Sequence, residues 1–378
     1  MGTPSHALVR VFGAGSSVFI DRETDTACVA ALASRGLGPL LYGAFSNGRV
    51  EQWYENMRSL EPAEMGELDL AAAIARATAG LHVGASDMLA NFSAAGDVAV
   101  LWGRINSWLD VAAAAAEGDI ECRDWVAQAR DTAVWAKNAL DAGAALRWSE
   151  AARARAEARH ESSAISDARA AGAAAALTIV FAHNDLLSGN ILVSTLIDDE
   201  KRGEVQGDSE ARCRAVRLID TEYAAPNYLG FEIANNWMEI CGFQVDLLLF
   251  PSATTRRDWV RAYVRAGGAG IAGAAVLAAG SDCTNAFADE LAVTAARFVI
   301  ASHLWWGSWA LVQAGQQNVS ANTQPLTPSN DTATASNTTS STTTTSTATD
   351  TQEFDYRRYS RRRLELTEKH IAEFFESS

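Results

Sequence analysis

The stretch that decides the fold is Phe181-Ala182-His183-Asn184-Asp185-Leu186-Leu187-Ser188-Gly189-Asn190, followed by the apolar run Ile191 to Val193 and, after a polar interval, by Leu218-Ile219-Asp220. An Asp, an Asn five residues later and a second Asp just past the next short strand form the set that phosphoryl transfer to a hydroxyl uses. One carboxylate stands near the nucleophile, while an amide oxygen and the second carboxylate hold Mg²⁺ against phosphates. A lone D-x-x-x-x-N carries little weight. Here His183-Asn184 precedes it, and a strand with Ile219-Asp220-Thr221-Glu222-Tyr223 follows, which narrows the reading to a phosphoryl-transfer centre. His183 is expected to hold the loop by hydrogen bonds rather than to move protons.

Upstream, short apolar runs alternate with turn signals: Ala7 to Phe12, Val18 to Ile20, Leu40 to Phe45 and Arg49 to Tyr54, with Asn47-Gly48 marking a hairpin. Asp21 to Arg35 is Ala-containing and free of breakers, which predicts a helix between strands. From Leu68 the pattern turns helical, with Leu70, Ile74, Ala77 and Leu81 on one face, and Ala-rich composition continues to about Ala176. Ile191 to Val193 and Ala215 to Ile219 read as two short strands joined by the long charged stretch Asp198 to Arg214. Helices resume near Leu229. From Asp331 to Thr351, 15 of 21 residues are Ser or Thr with no large apolar side chain, so residues 316–352 are expected to be a disordered insertion. Phe354 to Phe375 regains helical composition, with Leu364, Ile371 and Phe375 on one face, and is expected to fold back onto the domain.

Over 378 residues the formal charge is −15, a field that repels phosphate backbones and anionic lipid, so nucleic acid is not an expected partner. The five cysteines (Cys28, Cys122, Cys213, Cys241, Cys283) are scattered without CxxC spacing, against a disulfide framework or a zinc site. No leader-like start or long apolar run stands out, so a cytoplasmic protein without stable membrane insertion is expected. The cluster Arg357, Arg358, Arg361, Arg362, Arg363 reads as a solvated or intramolecularly paired helix face.

The segment Asp220 to Asn236 (DTEYAAPNYLGFEIANN) together with Leu304-Trp305-Trp306-Gly307-Ser308-Trp309 resembles the second signature and the tryptophan motif of the choline/ethanolamine kinase family. Leu8 to Gly13, Ile20 to Glu23 and Gly38 to Gly43 fall in that family's order, and the likeness covers about Ala7 to Tyr54 and Val180 to Phe375 apart from the Ser/Thr tract. The resemblance implies an α+β, two-lobed, protein-kinase-like fold. Residues 1–54 would form a small N-terminal nucleotide-binding lobe and hinge. Residues 55–315 would form a large, mainly helical catalytic lobe, completed by a C-terminal helix in 353–378. It implies ATP and Mg²⁺, with Asp185 as catalytic base and Asn190 and Asp220 as metal ligands. Arg10 would anchor phosphate, oriented by Asp25, and Glu51 to Tyr54, with Gln52 and Tyr54 among them, would meet adenine. Tyr223, Glu239, Trp306 and Trp309 would receive an amino-alcohol cation on aromatic faces and a carboxylate, whereas Trp305 is expected in the core. Only six residues precede the Arg10 strand. The glycine-rich hairpin that the resemblance places upstream does not fit there, and the small lobe is expected to be truncated.

Within the family, Leu187 stands where choline kinases typically carry Gln, so ethanolamine is the expected substrate, with choline as alternative and second candidate ligand. An aminoglycoside-type phosphotransferase would not be expected to show the Asp220 to Asn236 segment or the tryptophan pair. A catalytically silent kinase-shaped binding protein is separated by ATP turnover. Association into a homodimer is left open.

Overall fold

A computed structural model describes residues 5–13, 18–91, 99–116, 118–195, 215–323 and 354–373. The N-terminal apolar run forms β1 (Ala7–Val11), and Asn47-Gly48 closes a hairpin between β2 (Leu41–Phe45) and β3 (Gly48–Gln52). Both outer strands pair antiparallel with β3, in the order β1-β3-β2. Between β1 and β2 lies α1 (Arg22–Ser34), started by Asp21, whose carboxylate accepts the backbone N–H groups of Glu23 and Thr24. Cys28, Val29 and Leu32 form its buried side.

The larger lobe begins with β4 (Met57–Ser59) and α2 (Leu68–Gly84), on which Leu70, Ile74 and Leu81 are buried at helical spacing and Ala77 packs half-buried beside them. Then come α3 (Leu101–Ala115), α4 (Ile120–Ala139), α5 (Ala142–Ala158) and α6 (Ser163–Ala175). Asp119, Asp141 and Ser162 accept backbone N–H groups at the starts of the last three. The low side-chain volume of this Ala-rich stretch lets helices pack closely. On α6 a Cβ at Gly172 would lie 2.2 Å from the Phe287 carbonyl oxygen on α10 (Ser281–Ala296). The remaining helices are α7 (Leu229–Glu239), α8 (Ala253–Arg265), α9 (Gly270–Ala278), α11 (Val299–Thr323) and α12 (Tyr356–Ile371).

Two small sheets flank the 183–190 segment. β5 (Ile179–Ala182) pairs with β8 (Ala225–Tyr228), and β4 pairs with β6 (Ile191–Ser194), which pairs with β7 (Val216–Leu218). The two short strands expected from the sequence are therefore β6 and β7, in antiparallel register with Ile191 opposite Leu218. A cluster of Leu32, Leu70, Ile74, Phe181, Leu186, Ile191 and Leu218 ties α1 of the small lobe and α2 to the strands that carry the motif. Burying side chains of this size stabilises by about 1.5–3 kcal/mol each, so the loop rests on a rigid base.

One boundary differs from the sequence expectation. α11 runs to Thr323, past the start of the expected disordered insertion at 316. Gln316 and Gln317 are half-buried, and Gln317 donates to the Phe354 carbonyl at the start of the returning chain, so tertiary contact extends the helix where composition alone turns polar. Residues 324–353, the whole of the 198–214 stretch with Cys213, and Phe375 lie outside the described residues. As expected, α12 packs along α11, with Leu364 buried against Gly307 and the Ser360 hydroxyl donating to the Gly307 carbonyl at 2.9 Å. The stretch Asp331 to Asp350 carries no large apolar side chain that a core could lose. Deleting Asp331 to Asp350 is therefore expected to leave turnover unchanged and the melting temperature within about 2 °C. A loss of soluble protein on deletion would show that the tract belongs to the packed lobe. No helix among the described residues is long and apolar enough to cross a membrane.

Candidate active site

The antiparallel register of β6 and β7 places the residue before Ile191 beside the residue after Leu218. The Ile219 N–H accordingly donates to the Asn190 carbonyl at 3.0 Å, so Asn190 and Asp220 end up side by side. Asp220 sits at φ 62° and Asn184 at φ 65°, the left-handed region that non-glycine residues enter only when the surroundings hold them there.

Those surroundings are a hydrogen-bonded frame around residues 183–186. Buried Glu232 on α7 accepts the backbone N–H groups of His183 (2.7 Å) and Asn184 (2.9 Å), one on each oxygen. Asn184 donates through Nδ2 to the Tyr223 carbonyl and accepts from Asn227, while Asn235 and Asn236 donate to the carbonyls of Asn184 and Leu186. His183 Nε2 lies 2.9 Å from the Ile219 carbonyl, and burial pushes its pKa down, so the neutral ring with Nε2–H donating fits both facts. Burial alone would raise the Glu232 pKa. The His82 ring, 3.5 Å away, the nearby His183 and the Asn184 N–H bring it below the usual value.

On this frame Asp185 is 6% exposed, and Asn190 Nδ2 donates both to its carbonyl and to its Oδ2, each at 2.9 Å. Its Oδ1 is buried with no partner among the described residues. Burial, then the negative charges of Glu239, Asp220 and Glu222, hold its pKa well above the usual carboxylate value. Asp185 is thus an acid whose ionised form lacks a cation. Among the described residues no three His, Cys, Asp or Glu side chains form a ready metal cage. The donor set nevertheless fits Mg²⁺: Asn190 has its Nδ2 committed to Asp185 and Oδ1 unengaged among the described residues, and Asp220 follows Ile219, whose N–H donates to the Asn190 carbonyl. Magnesium typically takes one or two protein oxygens and completes its shell with phosphate and water.

Arg10 on β1 reaches this centre: its Nη1 donates to Asp220 Oδ1 at 2.7 Å and lies 3.9 Å from Glu222. The expected Arg10–Asp25 pair is not formed. Arg10 stands directly opposite Arg49 in the β1–β3 register, and directly opposite residues share a face, so the two guanidinium groups compete for the same acid. Buried Arg49 takes Asp25 and also bonds Glu51, and Arg22 adds a 3.3 Å contact to Asp25. Asp25 therefore orients Arg49 and Arg22 instead, and Arg22 in turn holds Glu222 at 3.1 Å. Gln52 ends β3 and is tied to Leu40 through both backbone and side chain. With Tyr54 it lines a cleft of about 340 Å³ together with Ser5, His6, Tyr42 and Trp53.

The aromatic residues converge. Tyr223 and Trp306 rings meet edge to face at 5.9 Å, as do Trp306 and Trp309 at 5.7 Å. Trp309 Nε1 donates to the Tyr223 hydroxyl and Trp306 Nε1 to Asn235. Trp305 is fully buried in the core. Burial, then the charges of Glu222 and Asp185, raise the Tyr223 pKa, so the aromatic cluster adjoins the loop that carries Asp185. Glu239 is buried, and its Oε1 accepts from Arg363 Nη2 at 3.2 Å. The arginine cluster is in part intramolecularly paired, with Arg357 on Asp119 and Arg361 on Glu365. Phe19 and Tyr356, which pack against Trp309, and Tyr359 beside Arg363 carry no motif that marks them in the sequence. A legible signal does exist for the last pair: Tyr359, Arg363, Leu366 and His370 follow i, i+4, i+7, i+11, the buried face of α12.

The model of the choline/ethanolamine kinase family matches residues 1–368. The chain is 27% identical over 312 residues to a probable ethanolamine kinase of Arabidopsis thaliana, covering 81% of this chain and 65% of that one. It is 25% identical over 316 residues to ethanolamine kinase 1 of Homo sapiens, covering 81% and 56%. A probable choline kinase 3 of Arabidopsis thaliana is 23% identical over 313 residues, covering 81% and 70%. The chain thus spans between 56% and 70% of the length of these relatives. Among solved structures, a Plasmodium vivax ethanolamine kinase superposes with TM-score 0.61 at 18% identity, covering 98% of this chain and 78% of that one. A choline kinase of Cryptosporidium parvum gives TM-score 0.61 at 16% identity, covering 98% and 83%. With the family model spanning nearly the whole chain and the fold shared with both structures, the chain belongs to the choline/ethanolamine kinase family.

Proposed function

We propose that the chain transfers the γ-phosphoryl group of ATP to the hydroxyl of ethanolamine, giving phosphoethanolamine and ADP. The observation that carries this reading is the unpartnered, charge-crowded carboxylate of Asp185, hydrogen-bonded by Asn190 and facing the charges of the buried Glu239 and of Asp220, with the Tyr223, Trp306 and Trp309 rings packed on one another in the same lobe. The substrate oxygen forms a bond to the γ-phosphorus, the bond from that phosphorus to the β–γ bridging oxygen breaks, and the hydroxyl proton passes to Asp185. A carboxylate whose pKa burial and neighbouring negative charges raise suits that acceptance. Asn190 and Asp220 would hold Mg²⁺, which neutralises charge on the β- and γ-phosphate oxygens when bound. Arg10, now on Asp220, is placed to move to phosphate oxygens, and its planar fork suits them. Gln52 and Tyr54 would flank adenine in their cleft. Asp25 contributes through Arg49 and Arg22 rather than through Arg10.

Ethanolamine is preferred to choline in this reading because a primary ammonium brings N–H donors to Glu239, whereas a trimethylated one brings none and relies on aromatic faces. Leu187, two residues after Asp185, adds no polar group. A charged hydrogen bond contributes about 1.5–3 kcal/mol, so kcat/KM for ethanolamine is expected to exceed that for choline by about tenfold or more. Competition between the two substrates, read by product analysis, checks this. A higher specificity constant for choline would reverse the assignment within the family.

A further inference from the structure

Glu239, the carboxylate assigned to the substrate ammonium, is not alone in its site. Arg363 of α12 is fully buried, donates from Nη2 to Glu239 Oε1 at 3.2 Å, and donates from Nε to the Tyr359 hydroxyl at 2.9 Å. The second oxygen of Glu239 takes no hydrogen bond among the described residues. We infer that Arg363 is a positioning residue that sets substrate selectivity: it holds one oxygen of Glu239 and leaves the other for the N–H donors of a primary ammonium. This deepens the reading of Glu239 and the nearby aromatic residues as an ethanolamine site and rests on it.

The arrangement is costly for the fold. A fully buried ion pair is a weak device for stability, and apolar replacements of such pairs are often neutral or stabilising. Arg363 Nη1 is moreover buried without an acceptor among the described residues, a further penalty. A chain that needed only to dock α12 on α11 already has Leu364 against Gly307 and Ser360 on the Gly307 carbonyl, one residue from Trp306. The guanidinium therefore has a local purpose.

Electrostatics point to what that purpose is. Glu239 and Asp185 are both buried, and the Glu239 charge is close enough to oppose the ionisation of Asp185. Burial raises the Glu239 pKa, and the charge and hydrogen bond of Arg363 offset that rise in part. A neutral carboxyl would accept an N–H weakly and lack the countercharge. Choline has no N–H to offer, so it depends on Tyr223, Trp306 and Trp309 more than on the orientation of Glu239. Arg363 is thereby tied to one substrate more than to the other.

The experiment compares wild type, Arg363→Met, Arg363→Lys, Glu239→Gln and the double variant Glu239→Gln/Arg363→Met, with ethanolamine and with choline at saturating Mg-ATP. The expected result for Arg363→Met is an ethanolamine KM raised about tenfold or more, with kcat within about threefold and the choline KM within about threefold. Arg363→Lys restores part of the ethanolamine KM. The double variant is no worse than Glu239→Gln alone, because Arg363 acts through that carboxylate. Equal losses on the two substrates, a fall in kcat without a change in KM, or additive effects in the double variant would overturn the proposal. Should Arg363→Met fail to fold, Arg363→Lys and Glu239→Gln carry the same comparison, and an unchanged ratio of the two substrates' specificity constants in Arg363→Lys overturns it. Wild-type turnover separates the two claims. Absence of ethanolamine phosphorylation in the wild type sinks the proposed function, whereas a normal wild type with an unshifted Arg363 variant sinks this inference alone.

Discussion

Replacing Asp185 with Asn is expected to lower ethanolamine turnover by about 10²–10⁴-fold, the range that a positioned proton acceptor contributes, with little change in melting temperature. The amide keeps the size of the side chain and an oxygen for Asn190 Nδ2, and it removes a buried negative charge that Glu239, Asp220 and Glu222 all oppose. A stability unchanged or slightly raised, with activity nearly gone, is the signature of a group kept for chemistry. Asp220→Asn is expected to lose turnover to a comparable degree. It also releases Arg10 from its 2.7 Å ion pair, so its loss should ease as Mg²⁺ is raised if the defect lies in metal affinity. Steady-state kinetics beside thermal unfolding checks both. Near-wild-type phosphorylation by either variant would contradict the roles of proton acceptor and metal ligand.

The second large effect belongs to a residue that touches neither substrate. Glu232→Ala leaves the buried N–H groups of His183 and Asn184 without acceptors, and removing one partner of such a buried arrangement costs about 3–5 kcal/mol. The catalytic loop also loses the contact that helps keep Asn184 at φ 65°. We expect the melting temperature to fall by roughly 5–10 °C, with turnover falling alongside. Glu232→Gln, which keeps one acceptor oxygen, should lie between. The pH dependence has a definite sign. The folded-state pKa of Glu232 is lowered, so its contribution to stability is complete above the unfolded value of about 4.3 and is lost as pH falls through the lower folded value. Acid unfolding of the wild type should therefore steepen below about pH 4.3 and be shallower in Glu232→Gln. A Glu232→Ala protein that melts with the wild type and turns over normally would show that the loop does not depend on this frame.

The parts of this structure legible in the sequence are those with a local cause. Asp21 followed by a breaker-free run starts α1, Asn47-Gly48 makes a hairpin, and Asp185, Asn190 and Asp220 lie close in sequence to the paired strands β6 and β7, whose register sets them side by side. Residues whose meaning depends on distant partners are harder to see. Arg10 and Asp25 stand in suitable elements for a pair, but the register of β1 on β3 sets Arg49 beside Arg10, and the more buried arginine takes the acid. Arg363 lies in a run of arginines and differs from Arg361 and Arg362 only by falling on the buried face of α12, a periodicity that the strong local charge obscures. The end of α11 escapes a reading by composition because Gln316 and Gln317 look like polar chain, although the returning segment at Phe354 gives Gln317 a partner from afar.

The most direct test of phosphoryl transfer to ethanolamine follows the phosphoryl group itself. Purified protein is incubated with Mg²⁺, ATP labelled in the γ-phosphate and ethanolamine, and the products are separated. Label is expected in O-phosphoethanolamine in equal amount to the ADP formed, with no such product from Asp185→Asn under the same conditions. Folded wild-type protein that forms ADP without labelled phosphoethanolamine, or an Asp185→Asn variant that labels it as fast as the wild type, would contradict the proposed reaction.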